Sequence, residues 1–175
     1  MTDDRGLVAR QGTNDGLCGI YCLINAVRNE KTFDGIPGED FLRYFLEAAW
    51  RLNNLLPYKI SNGYEEHELV DIFNEFARCH GITWRAHLLT RVRSSFPKLS
   101  PTVISKRIFE EGGQIVLHTK DAAHWFLAYT FDFEKGRYVV EDSAPTDVES
   151  SIDPKRVLGI GIVLLPAESA LHTAF

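Results

Sequence analysis

Several protein classes are excluded by what this chain has little of. Its three cysteines, Cys18, Cys22 and Cys79, are too few and odd in number for the disulfide framework of a small secreted protein. No apolar run approaches the ~20 residues that cross a bilayer. The opening MTDDRGLVAR has no basic stretch leading into an apolar one, so no secretory signal is read there. The expected location is therefore the cytoplasm, or export without a cleavable signal peptide, with no membrane partner. Lys and Arg, 19 against 24 Asp and Glu, are concentrated nowhere and leave a net charge of −5. That balance argues against nucleic acid as the main partner, because phosphate binding relies on clustered cations. No 20–50-residue repeat, low-complexity tract, glycine-rich phosphate loop or metal-ligand spacing occurs, so no cofactor and no metal are expected.

What the 175 residues do contain is the balance of one globular domain, 45% hydrophobic and 25% charged, at a length suited to a single core over 1–175. The division inside it is one of pattern: a mostly helical half over 1–80 and a mostly β half over 81–175. Leu17, Ile20, Tyr21, Leu23, Ile24 and Val27 recur at helical spacing after the turn-rich Gly12-Thr-Asn-Asp-Gly16, which predicts a helix over 17–29 launched from a tight loop. Similar spacing predicts helices over 38–55 and 65–79. After Gly81 come a β-rich stretch over 82–89 and a helix that starts at Ser100-Pro101 and stops before Gly112-Gly113. Strand candidates cover 114–119, 124–133, 137–142 and 159–165, with Glu134-Lys135-Gly136 as a hairpin turn. Helices first and antiparallel strands second is the α+β order, with the helix at Cys18 packed against the sheet.

Cys18 sits where a loop hands over to a helix. The unpaired N–H groups and the dipole of a helix start favour a thiolate, so a thiol there is predisposed to act as a nucleophile. The same N–H groups can hold the oxyanion formed when a carbonyl is attacked, and Gln11, seven residues upstream, is placed to add a side-chain donor. Gly16 and Gly19 leave room for a substrate backbone. A nucleophilic cysteine also needs a histidine to take and return its proton, and that histidine needs an orienting acceptor. His124 opens the apolar strand His124-Trp-Phe-Leu-Ala-Tyr129, and the next strand ends in Val139-Val-Glu-Asp142, so two neighbouring strands supply base and orienter. A turn centred near Lys135 pairs position 124 with 146 or 147, so joining His124 to Asp142 requires a bulge or a tighter offset. Glu141 is the alternative orienter if the register runs the other way, and His118 is the alternative base.

The ordered set of Gln11, Cys18-Gly19 at a helix start, His124-Trp125 far downstream, and then Asp142 resembles papain-like cysteine peptidases. Within that superfamily the compact bacterial C39-type peptidase domains look closest, although they commonly follow Cys-Gly with proline or a small residue where this chain has Ile20-Tyr21. The resemblance implies a papain-like fold and the roles Cys18 nucleophile, His124 general base and acid, Asp142 orienter and Gln11 oxyanion donor. It implies hydrolysis of a peptide or isopeptide bond in a protein or peptide substrate. The same constellation also performs glutamine deamidation or acyl transfer. A catalytically silent papain-like domain that binds a peptide in its cleft is the non-enzymatic reading.

The remaining candidates have plainer roles. Cys22 follows Cys18 at i+4, where a regular helix allows no unstrained disulfide, and reads as a core residue. A zinc site from Cys18, Cys22, Cys79 and His80 is poorly spaced. Trp125, Phe126 and Tyr129 read as core or cleft wall.

Overall fold

A computed structural model of the chain describes residues 16–28, 40–52, 56–120, 124–142 and 149–174. Six helices are described: α1 Cys18–Arg28, α2 Phe41–Arg51, α3 Leu56–Asn62, α4 Glu66–Cys79, α5 Leu89–Ser95 and α6 Pro101–Glu110. Six strands accompany them: β1 Arg85–Leu88, β2 Gln114–Thr119, β3 Trp125–Asp132, β4 Arg137–Glu141, β5 Ser151–Ile152 and β6 Val157–Leu165. The strands form one antiparallel sheet in the order β1-β6-β2-β3-β4-β5.

Both faces of the sheet are covered. Side chains alternate across a strand, so Val116, Leu127, Ile162 and Leu164 face α1, α2 and α4, while Ile115, Leu117, Phe126, Val163 and Leu165 face α5 and α6. This explains why β2 and β6 read as continuous apolar runs, since a strand buried on both sides has no polar face to show. The exposed margin of β1 is also closed. The Asn74 amide of α4 donates to the Ala86 carbonyl at 3.1 Å and accepts from the Ala86 N–H at 2.9 Å, taking the place of a further strand.

Local chemistry sets the ends of the helices. At α4 the Glu68 carboxylate reaches back to the Glu65 N–H at 2.8 Å, half of a capping box. At α6 the Ser100 hydroxyl accepts from the Val103 N–H, with Pro101 in the first turn and Gly112 at φ +73° after the end. The helix expected over 38–55 is α2 alone, followed by a separate α3 in which Pro57 sits at the second position, where proline starts a helix more readily than it continues one. Besides α3, α5 after β1 and the two-residue β5 have no counterpart in the sequence reading. Both are too short to establish a period. No helix among the described residues is long and apolar enough to cross a membrane.

Candidate active site

Cys18 is the first residue of α1, and the Leu17 carbonyl before it accepts the first helical bond from the Tyr21 N–H at 2.9 Å. By position, the first-turn N–H groups have no acceptor inside the helix and point towards the loop side, where the half-buried Cys18 lies. The helix is held by Ile20, Leu23, Ile24 and Val27, all buried in the cluster that includes Leu127 and Trp125 of β3. Gly19 faces the Leu69 side chain of α4. A Cβ there would stand 2.6 Å from Leu69 Cδ1, so the glycine allows α1 to lie close against α4 and does not open space for a ligand.

His124 immediately precedes β3, and Asp142 immediately follows β4. The hairpin joining them is in register from Asp132↔Arg137 to Thr130↔Val139, then shifts by one residue so that Ala128 faces Val140 and Leu127 faces Glu141. The bulged residue, Tyr129, turns outward and is 42% exposed, so it is not a core residue. The shift, with a turn tighter than one centred on Lys135, draws Asp142 back towards His124. The two side chains then meet, His124 Nε2 to Asp142 Oδ1, at 2.9 Å.

The imidazole also lies close enough to the Cys18 side chain for the thiol to act on its charge. With Nε2 engaged by Asp142, Nδ1 is the ring nitrogen that remains to exchange a proton. A thiol at a helix start, an imidazole and a carboxylate thus form one row. It is withdrawn from water at its far end, since the side chains of His124 and Asp142 are 14% and 2% exposed. Burial of the ring opposes its charge. The hydrogen bonds and charges of Cys18 and Asp142 act the other way and prevail, holding His124 above the ordinary histidine range. Asp142 is steadied in turn by the Glu149 backbone N–H, which donates to Oδ2 at 3.0 Å.

Of the residues singled out in the sequence, Cys18, His124 and Asp142 are brought together, and Gln11 lies outside the described residues. Glu141 stands opposite Leu127 inside the sheet. His118 stacks on Trp125 across the β2–β3 pair, with ring centroids 4.6 Å apart. Cys22 is fully buried beneath α1, and Cys79 lies at the surface with Arg51 Nη1 2.9 Å from its sulfur. Among the described residues no three His, Cys, Asp or Glu side chains are grouped so as to hold a metal ion. Glu149 was missed in the sequence, because its contact with Asp142 is made by the backbone, which leaves no mark in residue type. The chain matches no family model, no curated protein and no solved structure.

Proposed function

We propose that the chain is a papain-like cysteine peptidase that hydrolyses a peptide or isopeptide bond. The observation that carries the reading is the row itself: Cys18 at the start of α1, near enough to act on the charge of His124, whose Nε2 is held 2.9 Å from the buried Asp142 carboxylate. A helix bearing the cysteine, packed on an antiparallel sheet bearing the histidine and aspartate, supports the papain-like arrangement.

In this reading the Cys18 proton passes to His124 Nδ1 as the sulfur attacks the carbonyl carbon. The oxyanion takes the Cys18 backbone N–H, with the Gln11 amide as the second donor that the resemblance implies. The intermediate collapses, the C–N bond breaks, and His124 returns the proton to the leaving amine. Water then attacks the thioester. His124 takes its proton, the C–S bond breaks, the acid leaves and Cys18 regains its hydrogen. Asp142 keeps the ring oriented and supports its positive charge throughout.

Cys18→Ala and His124→Ala are each expected to lower turnover of a peptide library by at least about 10³-fold while the thermal melt still shows one cooperative unfolding of a folded protein. Wild-type turnover in Cys18→Ala overturns the proposal. Ammonia release from a protein without backbone cleavage assigns the same row to a side-chain amide instead. Cys18 alkylation that is indifferent to His124→Ala points to a silent binding domain.

A further inference from the structure

Each carboxylate oxygen of Asp142 meets a donor among the described residues, Oδ1 the His124 Nε2 at 2.9 Å and Oδ2 the Glu149 N–H at 3.0 Å. A carboxylate held on one oxygen can still turn about its last bond, whereas donors on both oxygens fix its plane. Whatever places the Glu149 N–H therefore sets the orientation of Asp142 and, through it, of the imidazole.

The Glu149 side chain is gripped by a guanidinium fork, with Arg156 Nη1 2.6 Å from Oε2 and Nη2 2.9 Å from Oε1. This bidentate geometry fixes direction as well as distance. Arg156 is itself tied down. It closes the short 3₁₀ turn Pro154–Arg156, which Asp153 caps by accepting from the Lys155 N–H at 2.9 Å. Its carbonyl accepts from the Lys120 N–H, just past β2, at 2.9 Å. The fork thus reaches from a point anchored to the centre of the sheet back to the residue that steadies Asp142. Both side chains are about a third exposed, 33% for Arg156 and 31% for Glu149, a setting in which an ion pair adds little to folding stability but still fixes a local geometry.

We propose that the Glu149–Arg156 fork is a positioning device for the site, holding the Glu149 N–H on Asp142 so that the other Asp142 oxygen stays on His124. Neither residue touches the reacting atoms. The proposal rests on the reading of Cys18, His124 and Asp142 as a working row, and it predicts which remote charges the row depends on.

The test measures the rate of Cys18 alkylation by iodoacetamide from pH 5.5 to 9.5, which needs no substrate, alongside thermal melts to confirm folding. The charged groups acting on His124 are Cys18 from α1 and Asp142 after β4, so the acid limb of the profile reports their alignment. Arg156→Gln and Glu149→Gln are each expected to slow alkylation about tenfold at pH 6, the lower end of what losing an orienting outer partner costs. Near pH 9.5, above the ordinary thiol range of about 8.5, the variants converge on wild type, because an unassisted thiol is ionised there. The double variant should be no slower than either single one, since the pair acts as a unit. Arg156→Lys, which keeps the charge but not the fork, should fall between.

Arg137→Gln is the structural comparator. Arg137 ties the same β5 strand through Ser151 Oγ and the Ser151 carbonyl, both at 3.0 Å, without holding Glu149. It should leave the profile unchanged, and an equal slowing in Arg137→Gln overturns the proposal by showing general loosening. If Arg156→Gln and Glu149→Gln superimpose on wild type while His124→Ala does not, the fork is overturned and the row stands. If His124→Ala superimposes on wild type as well, the row itself falls, and the fork with it.

Discussion

On one face of the sheet α1, α2 and α4 bury Ile20, Leu23, Phe73 and Phe76 against Val116, Leu127 and Ile162; on the other, α5 and α6 bury Leu89, Val92, Ile104 and Ile108 against Ile115, Leu117 and Val163. The first face is rich in helix phenylalanines and the second buries aliphatic helix residues, yet both are closed to water. The difference lies in what the helices end on. The first face brings the start of α1 to the margin where β3 begins, so that Cys18 meets His124. The second face reaches the row at one point, Phe126, whose ring stands edge-on to that of His124 with centroids 4.7 Å apart, and a buried polar contact on that face, the Ser105 and Tyr138 hydroxyls at 2.9 Å, joins α6 to β4. Packing on the first face places the thiol, whereas packing on the second touches the row only through Phe126 among the contacts described.

The strongest way to break that comparison is Ile108→Ala on the second face. Ile108 is fully buried, and its truncation should cost about 2–5 kcal/mol through lost contact and a residual cavity. Below its lowered melting temperature the protein should still alkylate at Cys18 as fast as wild type, and a slower rate would show that the faces are not separable. A smaller stability loss is expected from Gly19→Ala on the first face. Its new methyl would press 2.6 Å from a Leu69 side chain that is itself fully buried and has little room to swing. Overpacking of this kind costs about 1–3 kcal/mol. Here alkylation should slow as well, because the start of α1 is what moves, and adding Leu69→Ala should restore the rate though not the stability.

The smallest effect expected is in the pH dependence of stability. Burial opposes the charge on His124, but Cys18 and Asp142 outweigh it and raise the folded value above that of the unfolded chain. The ionised ring then stabilises the fold fully below about pH 6.5, and the contribution fades as pH rises through the higher folded value. Asp142→Asn removes one of the two groups responsible. The gap in melting temperature between wild type and Asp142→Asn should therefore be widest near pH 5.5 and narrow on the alkaline side. A gap that widens with pH would reverse the sign of the argument.

Much of this organisation is visible in the amino-acid order. The start of α1 at Cys18, the Ser100-Pro101 opening of α6 and the Lys135 hairpin each follow from a local preference that needs no partner. The α+β order of elements follows from the same patterns. The required offset in the hairpin was visible as an arithmetic mismatch, but its location at Tyr129 was not, because a bulge is chosen by the packing of both strands. Gly19 was open to two readings, room for a ligand or room for a helix, and only the presence of Leu69 beside it decides between them.

By itself the sequence determined the elements and the candidates. Helical and alternating periods are properties of a few adjacent residues, and a thiol at a helix start, a histidine opening a strand and an aspartate closing the next are local facts. The tertiary structure decided which carboxylate is bonded to His124 and brought that histidine near Cys18. That choice depends on strand register and on how closely α1 approaches α4, which are set by contacts between residues far apart in the chain. It also decided that Asp142 is steadied by a backbone N–H from Glu149, because a backbone donor is the same in every residue but proline and acquires meaning only from where the fold puts it.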